Sequence, residues 1–183
     1  LKTMRFKGKC VVVTGASSGM GRKIALDFAK EGATVIAVAR RLERLEEIAK
    51  EAESFAGKIL PYQGDISLEE VNNGMIDYAV KECGKLDVLV NNAGIMDEFT
   101  PIGELTDELF NKVMAVNLNG PIYAMRKAVQ VMLEQETKGN IVNIASIGGV
   151  CGARAGVAYT ASKHAIVGAT KNTAYMYAGK IRC

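Results

Sequence analysis

The stretch KCVVVTGASSGMG, residues 9–21, decides the architecture. Cys10 to Val13 is a short apolar run with no polar residue to turn toward solvent, and it ends at a glycine, as a strand buried on both faces does. From Gly19 onward the spacing becomes helical. Ile24, Ala25, Phe28 and Ala29 share one face, while Arg22, Lys23, Lys30 and Glu31 lie elsewhere. A doubly buried strand that passes through a glycine turn into an amphipathic helix is the opening unit of a parallel sheet covered by helices on both sides.

The rest of the chain repeats the unit. ATVIAVA (33–39) reads as a second buried strand, followed by a helix marked by Leu42, Leu45, Ile48, Ala52 and Phe55. KILPYQG (58–64) is a weaker third strand. The next helix starts near Ser67, a suitable N-cap ahead of Glu69 and Glu70, with Val71, Met75 and Tyr78 facing inward. LDVLVNNAG (86–94) is a fourth strand, 106–136 a helical segment that Pro121 must break or kink, NIVNIAS (140–146) a fifth strand, and 158–178 the last helix. This alternation predicts an α/β fold: one doubly wound parallel sheet with right-handed crossovers, in a single domain over 1–183. The chain ends at GKIRC just as another strand begins, so the C-terminal part of the fold is expected to be missing from this sequence.

Composition narrows the function. With 183 residues, 49% of them hydrophobic and 23% charged, the chain can bury a sizeable core. Its net charge is +3, and Lys2, Arg5, Lys7 and Lys9 are scattered as on a solvated surface, so no nucleic-acid partner is expected. No apolar run reaches membrane-spanning length, and neither a membrane partner nor a signal peptide is expected. Cys10, Cys83, Cys151 and Cys183 form no C-x-x-C pair, and there is one histidine. That argues against a metal site and for reduced thiols in a cytoplasmic protein, three of them in or near the core.

The glycine turn points to a ligand. Gly15, Gly19 and Gly21 let the backbone turn sharply and let a diphosphate approach the N-terminus of the helix, where unpaired N–H groups favour an anion. Ser17 and Ser18 add hydroxyl donors. Because the turn follows the first strand and opens a helix, it reads as a dinucleotide site. Its spacing, G-x-x-x-G-x-G with Thr14 in front, resembles the classical short-chain dehydrogenase/reductase family.

The resemblance continues in order along the chain. GDI (64–66), NNAG (91–94), VNLNG (116–120), Ser146 and YTASK (159–163) all match family stations. It implies a Rossmann sheet of order 3-2-1-4-5 with further strands beyond. It also implies that Gly15, Ser17, Ser18, Gly19, Met20, Gly21, Asp65, Ile66, Asn91, Ala93 and Gly94 border a nicotinamide cofactor. At the end of the second strand, the family's acidic position holds Ala39, and Arg40 follows. A guanidinium there suits a 2′-phosphate, so NADP(H) is preferred, with NAD(H) possible.

Tyr159 and Lys163 stand four residues apart on one helix face, where an ammonium favours a phenolate. By resemblance, Tyr159 exchanges a proton with a carbonyl or alcohol oxygen and Ser146 hydrogen-bonds that oxygen. Lys163 assists the tyrosine and holds the ribose, and Asn117 supports a water chain to Lys163. The implied activity is hydride transfer between the cofactor and a carbonyl or secondary alcohol. Within the family the likeness is first to 3-oxoacyl-(acyl-carrier-protein) reductases, then to sugar or steroid alcohol dehydrogenases. The implied partners are thus a small carbonyl or alcohol substrate or an acyl-carrier-protein thioester. A non-catalytic, redox-sensing cofactor binder is the rival reading, and the intact set of four argues against it.

The remaining features read more plainly. His164 is a surface or subunit-interface residue, and Met20, Met96, Met114 and Met125 are core or pocket lining. Asp97, Glu98 and Thr100 follow the NNAG turn at the carboxyl edge of the sheet, where they could line a substrate mouth, but they read more plainly as a solvated loop. The apolar residues Ile122, Tyr123, Met125, Val129, Met132, Ala165, Ile166 and Ala169 suggest helices buried against a partner, in a homo-oligomer expected to be a tetramer.

Overall fold

Alternate residues of the first strand feed two separate cores. In the computed structural model, which describes residues 4–183, Cys10 and Val12 pack on one side of the sheet and Val11 and Val13 on the other. The elements run β1 (Cys10–Thr14), α1 (Gly19–Lys30), β2 (Thr34–Ala39), α2 (Leu42–Glu51), β3 (Lys58–Gln63) and α3 (Glu69–Cys83). They continue with β4 (Val88–Asn91), α4 (Asp107–Met114), α5 (Gly120–Glu134), β5 (Gly139–Asn143), α6 (Val157–Met176) and β6 (Ile181–Arg182). Lys2 lies outside the described residues.

All strand pairs are parallel, and the order is β3-β2-β1-β4-β5-β6. Helices α1 and α2 cover one face through Ala25, Leu26, Leu45 and Ile48. Helices α3, α5 and α6 cover the other through Met75, Ile76, Ala128, Met132 and Ile166. Pro61 is accommodated because β3 is an edge strand. The order reverses between β1 and β4, so a crevice opens above the carboxyl ends of those strands, where open α/β sheets bind ligands.

The strand expected to begin at GKIRC is present as a short β6: Ile181 is buried and pairs with Gly139. The structure departs from expectation in three places. Ser67 does not cap α3. Leu68 takes that position, the Ser67 N–H goes to Asp65 Oδ1 at 3.0 Å, and the Asn72 amide donates to the Ile66 and Leu68 carbonyls. The helical segment after Thr106 breaks at a five-residue π turn, Ala115–Asn119, while Pro121 sits in the first turn of α5, where the N–H that proline lacks is least missed. Lastly, Met125, Val129, Met132 and Ile166 are buried in this chain's own core, because α5 and α6 turn their apolar stripes onto the sheet. They form no exposed face for a partner.

Of the four cysteines, all with free thiols, Cys10 is buried, Cys83 and Cys183 are half-buried and Cys151 is exposed. At the opposite end of the sheet from the crevice, Asp87 is 2% exposed. Its carboxylate accepts from the Cys10 N–H at 2.9 Å and pairs with Lys9 at 3.1 Å and Lys85 at 3.0 Å. Burial alone would raise its pKa. The Cys10 N–H and the two ammonium groups outweigh burial and hold the carboxyl below its ordinary value.

Candidate active site

The crevice is a groove of about 510 Å³, within the usual range for small-ligand sites. Gly15, Ser17, Ser18 and Met20 form one wall, Arg40, Asp65 and Ile66 the second, and Ala93 and Gly94 the third. Met20 is 64% exposed, a groove residue and not a core one. Gly15 has φ +67°, a left-handed backbone that suits glycine. A Cβ on Gly21 would fall 2.2 Å from the Gly15 carbonyl oxygen, so its role is to let α1 close onto the turn. Gly19, with φ +54°, completes the bend.

Thr14 locks this turn to the loop after β4. Its hydroxyl accepts from the Asn92 and Ala93 N–H groups at 3.1 and 3.2 Å, and the Asn92 amide donates to the Thr14 carbonyl at 3.0 Å. Asn91 is turned away from the groove: it is 5% exposed and its amide donates to Asn143 Oδ1 at 2.9 Å. Side chains alternate along a strand, so of the two adjacent asparagines Asn92 is the one that lines the groove.

Arg41, absent from the sequence-derived candidates, lines the groove beside Arg40. Its Nη2 donates to Ser17 Oγ at 3.3 Å, which brings its guanidinium over the glycine turn. Lys112, at the end of α4, adds a further cation to the lining. Glycines at the close approaches, serine hydroxyls, a helix N-terminus and a cationic rim together fit the diphosphate of a nicotinamide dinucleotide.

The four catalytic candidates converge at the end of this groove. A Cβ on Gly148 would lie 3.4 Å from the Tyr159 ring and 3.5 Å from Ser146 Oγ, so the phenol and the hydroxyl flank one small gap. Ser146 Oγ itself accepts from the Gly148 N–H at 3.1 Å. Lys163 Nζ lies 5.6 Å from the centre of the Tyr159 ring and donates to the Ile144 carbonyl at 2.8 Å. Lys163 as a whole is 5% exposed, and burial lowers its pKa. A Cβ on Gly94 would lie 3.4 Å from Asn117 Oδ1 and 3.7 Å from Lys163 Nζ, so the groove runs directly into this cluster.

Asn117 sits in the π turn and is 1% exposed. Its Oδ1 accepts from the Ile95 N–H at 2.8 Å, and its Nδ2 donates to the Ile95 carbonyl at 2.9 Å and to Ser162 Oγ at 3.3 Å. The amide thus braces the loop after β4 against α6. His164 is exposed, with Nδ1 2.9 Å from the Thr160 carbonyl.

Asp97 overturns its sequence reading. It is wholly buried, not part of a solvated surface, and its carboxylate is bonded to the N-terminus of α6. A lone acid in a polar loop gives no sign of this, because its partners lie 59 and 62 residues away.

Comparison with known proteins agrees with the geometry. The family described as short chain dehydrogenase matches residues 9–183. The chain is 43% identical over 177 residues to 3beta-hydroxysteroid dehydrogenase 2 of Eggerthella lenta, covering 96% of this chain and 68% of that protein. It is 38% identical to 3-oxoacyl-(acyl-carrier-protein) reductase of Thermotoga maritima, covering 97% of this chain and 71% of the relative. The crystal structure of an NAD+-bound xylitol dehydrogenase superposes with a TM-score of 0.91 at 33% identity, over 97% of this chain and 68% of that one. The chain therefore spans roughly two thirds of the length of the proteins it matches. From the glycine turn through YTASK, in fold, order and spacing, this chain belongs to the short-chain dehydrogenase/reductase family of oxidoreductases.

Proposed function

We propose that the protein catalyses NADP(H)-dependent interconversion of a carbonyl and a secondary alcohol. The observation that carries this reading is the shared gap between Tyr159 and Ser146, with Lys163 behind it, at the end of a groove whose rim holds Arg40 and Arg41. When bound, the nicotinamide supplies or accepts the hydride. Tyr159 gives its phenolic proton to the carbonyl oxygen in reduction and takes it back from the alcohol in oxidation. Ser146 donates a hydrogen bond to the same oxygen as negative charge develops there. Lys163, held by the Ile144 carbonyl, keeps a cation beside the tyrosine and would hold the ribose of a bound cofactor. The arginine pair supports NADP(H) over NAD(H), because the position that would favour an unphosphorylated ribose holds Ala39.

Two substrate classes fit. A 3-oxoacyl thioester carried on acyl carrier protein is the first, supported by the whole run of motifs. A hydroxysteroid is the second. It is favoured by Phe99, Ile147 and Val150, which stand 66%, 62% and 69% exposed on the two loops that meet the start of α6. These apolar residues suit a hydrophobic substrate better than a sugar. We place the protein in the cytoplasm and read it as a homotetramer; exposed Leu133, Tyr175 and Met176 on α5 and α6 support the assembly.

The test follows loss of reduced-nicotinamide absorbance with NADPH and NADH in parallel, against an acetoacetyl thioester, a 3-ketosteroid and small ketones. Turnover with NADPH that disappears in Tyr159→Phe is the expected result. Turnover that survives in Tyr159→Phe overturns the mechanism. NADPH binding without turnover across the panel favours the redox-sensing, non-catalytic alternative.

A further inference from the structure

Helix α6 carries both Tyr159 and Lys163, yet nothing of its own caps it. The residue before its first turn is Gly156, which has no side chain to offer the unpaired N–H groups. The loop after β4 supplies the missing cap. Asp97 Oδ1 accepts from the Gly156 N–H at 2.9 Å and Oδ2 from the Tyr159 N–H at 2.7 Å. The Thr100 carbonyl takes the Val157 N–H at 3.0 Å. The same carboxylate holds its own loop, accepting from the Phe99 N–H at 3.3 Å. Glu98 and Phe99 there adopt φ of 58° and 60°, a conformation that non-glycine residues keep only when their surroundings impose it.

The junction is also tight. A Cβ on Gly156 would lie 2.4 Å from the Thr100 nitrogen, 2.6 Å from its carbonyl oxygen and 2.7 Å from Asp97 Oδ2. Glycine is therefore what lets the loop approach α6 closely enough for the carboxylate to reach the tyrosine's backbone.

We infer that Asp97 is a positioning residue for Tyr159. Its carboxylate fixes the backbone from which the phenol projects toward Ser146. It also couples that backbone to the loop whose other end, Gly94 and Ile95, forms the groove wall. The inference rests on the reading of Tyr159 as the proton donor. A side chain bonded to the backbone of the reacting residue changes where the reacting oxygen stands without touching the cofactor. Small displacements of this kind lower turnover by roughly tenfold to a hundredfold.

The experiment compares the parent with Asp97→Asn and Gly156→Ala. Asparagine offers one acceptor where the carboxylate offers two. The alanine methyl wedges the loop from the helix while leaving the carboxylate in place. For each, the Tyr159 amide exchange rate, the cofactor Kd and kcat are measured. Faster Tyr159 amide exchange, a fall in kcat of about tenfold or more and a cofactor Kd within about twofold of the parent support the inference. Unchanged exchange and kcat in Asp97→Asn overturn it. A cofactor Kd that weakens in step with kcat also overturns it, because the carboxylate would then be supporting the fold in general. Should Asp97→Asn fail to fold, Gly156→Ala is read by the same criteria. Amide exchange reports on the clasp whatever the reaction is, so loss of the catalytic reading through Tyr159→Phe stays separate from loss of this one.

Discussion

Replacing Asn117 with alanine should cost stability as well as activity, and the size of the loss follows from the bonds the amide makes. Two are short and join both backbone groups of Ile95, at 2.8 and 2.9 Å, and a third of 3.3 Å reaches Ser162. Each intramolecular bond of this kind contributes about 1 kcal/mol net, and the longest contributes less. Alanine also leaves the Ile95 N–H and carbonyl without their protein partner. Because Ile95 lines the groove, water can reach it and relieve part of that penalty. The total is about 2–3 kcal/mol. For a chain of 183 residues, each kcal/mol lowers Tm by roughly 2–4 °C, so the variant should melt about 5–10 °C below the parent. Thermal unfolding followed by far-UV circular dichroism, without cofactor, measures this directly. A Tm within about 2 °C of the parent, which is under 1 kcal/mol, would refute the brace. Asn117 would then act only on the chemistry.

Asp87→Asn should destabilise the protein by about 1–3 kcal/mol at neutral pH, since the amide cannot accept from Cys10 and face two ammonium groups as a carboxylate does. The folded-state pKa of Asp87 is depressed, so its contribution is complete above the unfolded pKa and fades as pH falls through the folded one. Urea unfolding of both proteins should show a gap at neutral pH that closes in strong acid, and a gap independent of pH would count against the ion cluster. Arg41→Ala should weaken NADPH binding by roughly tenfold or more and leave NADH nearly untouched, as loss of a charge-assisted phosphate contact does. If Arg40→Ala removes the preference and Arg41→Ala does not, the contact with Ser17 marks the wrong arginine.

How much of this was legible depends on where each residue's partners lie. The glycine turn could be read because its meaning is local: a buried strand, three glycines and a helix follow within residues 10–30. Tyr159 and Lys163 could be read because one turn of helix brings them to the same face. Asp97 could not, since its burial depends on the distant start of α6 and its neighbours Glu98 and Thr100 look like any polar loop. Asn91 and Asn92 are chemically identical, and only the phase of β4 decides which one meets the groove. Helix α5 looked like an interface because its stripe is rich in methionine and valine, but the sheet consumes that stripe. Arg41 joins Arg40 at the groove because helix α2 begins at Leu42 and its start turns Arg41 back over Ser17, a placement that no local pattern in the sequence marks.

The π turn at Ala115–Asn119 gives the number of residues in this segment a meaning of its own. A π turn holds about one residue more than an α turn and absorbs it locally, so the helices on either side keep nearly the phase they would have without it. Deleting a single residue between Met114 and Gly120 would let the two helices fuse into one continuous α-helix. Asn117 would then swing off Ile95, while the buried stripe of α5 would keep nearly its present phase on the sheet. Point substitutions along the turn alter one contact at a time, whereas loss of the extra residue removes the wide turn itself and with it the placement of Asn117 between Ile95 and Ser162. Among relatives of this chain, the spacing across the turn should therefore be held more strictly than most of the residues that fill it.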